Sequence, residues 1–295
     1  MDANPLPMIA DPPRAVPLLV RGRVLCGGFA NQFGWLFLGF GLVFVWIFVG
    51  FGDVSSIFIF RGELDTAMGH VTHGEKTSFS EGGDENNDGT PIYAIHYTFT
   101  DEDDRTYDGV SYATGRELDA GANVTIEFPA GSPETSRIRG MRRAPFGALV
   151  LITWVFPLVG AIFVVAGLRK GVRGGYLLRN GRLAHGRLLD KKTTNTRINN
   201  RMVYKLTFAF EADDGVTYEA IARSHEPEKL EDEADELLLY DPLRPEKAVL
   251  LDNLPGQPRF DEFGQIRTGS VRAALRVLIL PAVTIIGHGL YALLR

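Results

Sequence analysis

The stretch LLLYDPLRPEKAVLLD (237–252) decides the fold, because the chain carries an eroded copy of it, VTIEFPAGSPETSRIR (124–139). Each is a run closing on an aromatic, then a proline, a few turn residues, a second proline and a glutamate. Phe128 and Pro133 stand five positions apart, as do Tyr240 and Pro245. Between the copies lies 145–168, a charge-free run. It is long enough to cross a bilayer, for which a helix takes about 20 apolar residues.

Working upstream from each turn, the same landmarks recur. Tyr93, Ile95, Tyr97 and Phe99 alternate with Ala94, His96, Thr98 and Thr100. Tyr204, Leu206, Phe208 and Phe210 alternate with Lys205, Thr207, Ala209 and Glu211. Period two with aromatic and branched residues on one face is the mark of a half-buried strand. An acidic turn follows, DEDDR (101–105) or EADDG (211–215), and then Tyr107 or Tyr218, each 14 residues after the first tyrosine. The proline turn comes 21 or 22 residues later. Four landmarks in one order at nearly one spacing define an internal repeat.

Each copy reads as an antiparallel β module of about five strands. In the second, strands are expected at 181–190, 202–211, 216–223, 236–241 and 247–252, with one short helix at 225–236. The first has a longer hairpin tip, SEGGDENNDGT, before Tyr93. Sheets this small must curl or pack to hide one face, so a barrel- or sandwich-like form is expected.

The average composition, 45% hydrophobic with a net charge of −5, hides how the apolar residues are pooled. Residues 24–52 and 145–168 carry no charge, and 277–294 carry only His288 as an ionisable group. The expected architecture is a membrane protein with three transmembrane helices and two repeated modules. A Pro-rich tail (1–32) precedes the first helix (33–52) and module (53–144), then come the second helix (145–168) and module (169–271), and the last helix (272–295). The N-terminal sequence lacks the basic patch and short apolar core of a cleaved signal, so the first span reads as a retained anchor. Eleven Lys and Arg near the spans fall on the side of the tail and second module, against six on the other, which places those two parts in the cytoplasm. The cluster RIRGMRR before the second span, and Pro157 within it, pull against that assignment.

The residues of the modules resemble a family of bacterial membrane proteins known as the domain of unknown function numbered 3592. Its elements are a Y-x-x-x-F strand, a D-G turn followed by an aromatic, and a Y-D-P-x-x-P turn. Residues 178–255 match through Tyr204 to Phe208, Asp214-Gly215, Tyr218, and Tyr240-Asp241-Pro242 with Pro245. Residues 66–140 depart from it, with Arg105 read at the turn-glycine position and Phe128-Pro129 in place of Tyr-Asp-Pro. The resemblance implies a small β module between transmembrane helices and a bacterial inner-membrane location. It implies no activity.

Candidate chemistry is sparse. DENNDG (84–89) opens like a calcium loop, but its twelfth position is Ile95. His70, His73 and His96 could share a metal, yet no further ligand spacing completes the set. Cys26 is the one cysteine, which excludes an intrachain disulfide and a cysteine zinc cluster. It reads as a small hydrophobe at the membrane edge, with acylation as the alternative. His288 stands inside a span, where ionisable groups are expensive, with Thr284 one turn away as a hydrogen-bond partner. The acidic clusters 101–104 and 228–236 read as solvated faces. Asp241 and Pro242 suit a strand-ending corner. Gly39, Gly41, Gly50 and Gly52 suit close helix packing. With no basic stripe, nucleic acid is not an expected partner, and no catalytic motif occurs. No catalytic, cofactor-binding or metal residues are expected. The expectation is a non-enzymatic binding or sensing protein, or alternatively a structural or assembly subunit of a larger complex. Its partners are the lipid bilayer and itself or another membrane protein.

Overall fold

The computed structural model describes residues 9–84, 88–198, 200–231 and 235–294. Helices α1 (Leu18–Cys26), α2 (Phe29–Phe51) and the four-residue α3 (Ser56–Ile59) precede strands β1 (Leu64–Glu81), β2 (Thr90–Thr100), β3 (Thr106–Thr114), β4 (Asn123–Pro129) and β5 (Arg137–Ile138). A 3-10 turn, Ala148–Trp154, leads into α4 (Val155–Asn180). Then come β6 (Arg182–Ile198), β7 (Arg201–Glu211), β8 (Thr217–Ser224), β9 (Glu236–Asp241), β10 (Arg244–Leu250) and α5 (Val271–Leu294). Among the described residues, three helical segments, Phe29–Phe51, Ala148–Asn180 and Val271–Leu294, are long and apolar enough to cross a membrane. The chain divides into two compact units, 1–39 with 157–295, and 40–156.

β1 is 18 residues long because it serves two neighbours. Its first part, from Leu64 to His70, pairs with β4, and from Gly69 onward it pairs with β2. β6 does the same, pairing with β9 from Arg182 to Gly186 and with β7 beyond Arg187. The sheet orders are β3-β2-β1-β4-β5 and β10-β9-β6-β7-β8, one topology written twice. The barrel- or sandwich-like expectation is corrected: both are open five-stranded antiparallel sheets. In the first, a single bridge between Tyr112 and Arg142 joins the β3 edge to the chain just after β5. Each sheet hides one face over its own aromatic cluster, so full closure is not needed to remove that face from water.

The repeat extends to side chains. Ile95 and Leu206 are both 0% exposed, Tyr97 and Phe208 both 1%, Phe99 and Phe210 both 2%. Phe99 meets Tyr107 and Phe128 with ring centroids 5.6 and 5.4 Å apart. Phe210 meets Tyr218 and Tyr240 at 6.1 and 5.4 Å. The aromatic before each proline turn is therefore the lid on the last core aromatic of the central hairpin. Alternation is not perfect, since Ala94 and Thr207 on the opposite faces are buried as well. β1 and β6 also break register at matching places, Val71/His73 and Leu188/Asp190, then Lys76/Ser80 and Thr193/Arg197. At the second break Thr77 donates to Ile92 O (2.7 Å) and Thr194 to Val203 O (2.8 Å). Each hydroxyl satisfies a carbonyl that the irregularity leaves without its ladder partner.

The acidic turns correct one reading. Gly215 has φ 75°, and the residue holding the same left-handed backbone in the first module is Asp104 at φ 57°, not Arg105. Asp104 N bonds Asp101 O and Asp101 N bonds Arg105 O, just as Gly215 N bonds Ala212 O and Ala212 N bonds Val216 O. Aspartate is among the few residues that enter this region at modest cost. The helix expected at 225–236 is instead a 3-10 turn at Pro227–Leu230, and 232–234 lie outside the described residues.

Helix α4 packs through a seam of small residues. Pro157, Gly160, Val164, Gly167, Gly171, Gly174 and Leu178 are buried at alternating steps of three and four. That is the spacing of helices crossing at a shallow angle. A Cβ on Gly167 would sit 2.7 Å from Asn31 Cα, and one on Gly171 would sit 2.7 Å from Leu25 Cα. One on Gly160 would run into the backbone of Leu38. Pro157 falls in the first turn, where its missing N–H costs nothing, so the helix is not broken there.

Candidate functional site

The face of α4 turned away from its glycine seam changes character along its length. Val165 belongs to the charge-free run, which ends at Leu168; Arg169, Val172, Arg173 and Tyr176 follow. Val165, Val172 and Tyr176 are exposed, at 45%, 62% and 44%. At 1.5 Å per residue, Val165 to Tyr176 is about 16 Å of helix.

Opposite this face stands the turn between β9 and β10, the YDPLRPEK stretch. Asp241 Oδ1 accepts the Leu243 N–H at 3.1 Å, which is the corner role expected of Asp241. Its Oδ2 lies 3.6 Å from Arg244 Nε, and its side chain is almost wholly buried. The carboxylate is therefore spent on the turn and its neighbouring guanidinium. Arg173 reaches across to donate to Ala248 O at 3.4 Å. Leu239 and Leu251 bury against Leu177 and Leu178, which fixes the turn beside the helix.

Between helix and turn runs an open groove of about 710 Å³, lined by Val165, Leu168, Val172, Tyr176 and Leu177 with Arg169, Arg173, Asp241, Arg244 and Lys247. It has an apolar floor and a rim of four cations against one committed carboxylate. Such a site can hold an anion attached to an apolar body. No side chain in it is a nucleophile paired to a base.

The other groups singled out in the sequence are placed as follows. His73 and His96 are cross-strand partners with rings stacked at 4.0 Å, and Glu75 lies 3.7 Å from His96. His70 pairs with Thr98 along the same strand. Among the described residues, no group of three or more His, Cys, Asp or Glu is placed to hold a metal ion. Of the calcium-like loop, residues 85–87 lie outside the described residues. Cys26 is buried, 8% exposed, so its thiol is not presented for acylation. His288 does not pair with Thr284 as expected. Instead His288 Nε2 lies 3.0 Å from Gly39 O, and Thr284 donates to Trp35 O at 3.3 Å, two rungs of one contact between α5 and α2. Of the acidic clusters, Glu231 pairs with Lys191 at 2.8 Å and Asp101 accepts the Asp103 and Arg105 N–H groups.

Arg14, which no motif in the sequence marks, is a buried cation with a defined role. Its Nη1 donates to Leu178 O (3.3 Å) and Gly181 O (2.8 Å), satisfying the carbonyls at the end of α4. Burial lowers its pKa, with Asp11 opposing that shift. The groove itself had one visible trace in the sequence, the charge boundary at Leu168; its other wall lies some 70 residues on and is brought in only by folding. No protein-family model matches the chain, and a search of curated proteins finds no match either.

Proposed function

We propose that the chain is a non-enzymatic, multi-pass protein of the bacterial inner membrane whose second β module binds a small amphiphilic ligand. The observation that carries this reading is the groove between α4 and the β9–β10 turn. It joins an apolar floor to a cationic rim at the point where a membrane-length helix passes from uncharged to charged sequence. Lipid tails and water would meet at such a boundary, and a ligand with one apolar and one charged end satisfies both. The first module repeats the fold. It serves, in this reading, as a contact surface. Membership in the family numbered 3592 is part of the same proposal and rests on the Tyr204-to-Phe208 strand and the Tyr240-Asp241-Pro242 corner.

The test is native mass spectrometry of the full chain released from membranes in mild detergent. The expected result is a retained amphiphile on the wild type that is lost in Val172→Glu, a change at an exposed position. Equal adducts on both proteins, or none on either, would remove the groove as the binding site. Conversion of the retained molecule on prolonged incubation would replace binding with catalysis.

A further inference from the structure

Resting on that binding reading, we infer that the groove selects an anionic phospholipid, with its phosphate on the basic rim and its first chain methylenes along Val172 and Leu168. Three observations converge on this occupant. The first is position along the helix. The groove spans about 16 Å of α4 and begins inside the charge-free run. The polar layer on each side of a hydrocarbon core is only about 5–8 Å thick. A ligand filling the groove therefore has its upper part among headgroups and its lower part among acyl chains, as a phospholipid does.

The second is charge. Arg169, Arg173, Arg244 and Lys247 face a single carboxylate, Asp241, whose oxygens already serve Leu243 N and Arg244. Among the described residues, Arg169 and Lys247 have no ion-pair partner. An anionic headgroup neutralises this excess, whereas a zwitterionic one brings a further cation against it. The third is the rim's chemistry. Guanidinium groups present forked N–H donors that match phosphate oxygens. A free phosphate would use the rim but leave the apolar floor empty, so the groove is built for the lipid.

The experiment uses the full chain in non-ionic detergent, titrated with short-chain phosphatidylglycerol, phosphatidylcholine of the same chain length, and inorganic phosphate, and read by native mass spectrometry. The expected result is tenfold or greater preference for phosphatidylglycerol over phosphatidylcholine. Each lost cation should weaken the anionic lipid by roughly fivefold. The double variant Arg169→Gln with Lys247→Gln should bring the two lipids within about threefold of each other, the loss falling mainly on phosphatidylglycerol. Arg169→Lys with Lys247→Arg should keep the preference, and Arg179→Gln, an exposed change outside the groove, should not alter it. Equal binding of both lipids by the wild type overturns this inference but leaves the amphiphile reading standing. Absence of binding by either lipid overturns both. Competition by inorganic phosphate as strong as that by phosphatidylglycerol assigns the rim to a free anion and overturns the lipid.

Discussion

Asp104 and Gly215 hold one backbone position in two copies of the same turn, at φ 57° and φ 75°. Glycine enters this region freely, whereas aspartate is strained there by its Cβ. Asp104→Gly should therefore stabilise the first module by about 0.5–1 kcal/mol, and Gly215→Ala should destabilise the second by about 1 kcal/mol or somewhat more. Hydrogen exchange of the full chain, comparing β2–β3 with β7–β8, checks both. A destabilised first module in Asp104→Gly would show that the aspartate side chain matters more than its backbone.

The matched cores give the next outcome. Phe208 is 1% exposed in the second module's core, beside Phe210 and its Tyr240 lid, so Phe208→Asp should cost several kcal/mol by burying an unpaired charge. Lys205→Glu, on the other face of β7, should change stability by no more than about 0.5 kcal/mol. Thermal unfolding in detergent distinguishes them, and equal damage would contradict the register of β7.

The contact between α5 and α2 is tight at Gly39, where a Cβ would sit 2.7 Å from Thr284 Oγ1. Gly39→Val should cost about 1–3 kcal/mol by overpacking, while Thr284→Val should cost about 0.5–1 kcal/mol through one lost interhelical bond. Detergent-induced dissociation or loss of helix ellipticity on heating reads both. A tolerated Gly39→Val would place the two helices further apart than described.

Acid should loosen the first module at its latch. Glu81 accepts from Arg142 Nη1 (2.6 Å) and Thr114 Oγ1 (2.7 Å), tying the end of β1 to the end of β3 and the chain beyond β5. Desolvation raises its pKa, but the bonds from Thr114 and Arg142 outweigh it, and the net direction is down. A carboxyl held below its unfolded value, about 4.3, stabilises the fold above that pH and loses the contribution as pH falls through the folded value. Exchange at the ends of β1 and β3 should therefore accelerate below about pH 4.5 in the wild type and be insensitive to that range in Glu81→Gln. An unchanged acid response in Glu81→Gln would assign the effect to another carboxylate.

Local pattern made much of this fold readable. Tyr204 to Phe210 and its copy announce strands by period, and the tyrosine spacing announces the repeat. What stayed hidden depends on partners far away in sequence. β1 and β6 hold few apolar residues, so nothing in their own sequence says that each spans two neighbours. The threonines at 77 and 194 look like ordinary strand residues until the irregular pairing gives their hydroxyls a task. The prolines before α1 hide it from the sequence pattern, although Val20 and Val24, four apart, mark one buried face. The sequence pattern points to the glycines of the first span, whereas the longer seam runs from Gly160 to Gly174. A lone histidine in an apolar run is costly, which marks His288 as a candidate site; the structure gives it a carbonyl.

The helix that carries the groove ends at Asn180, and β6 begins at Arg182, so a single residue, Gly181, joins them. Leu177 and Leu178, in the last turn, are already part of the second module's core. The module is thus cantilevered on α4 with no tether in which to swivel. Any rotation of the helix about its axis must be delivered to the strands as torque. One residue inserted between Arg169 and Tyr176 would turn everything beyond it by about 100° and swing the two walls of the groove out of register. Reach and aim are set here by residue count alone.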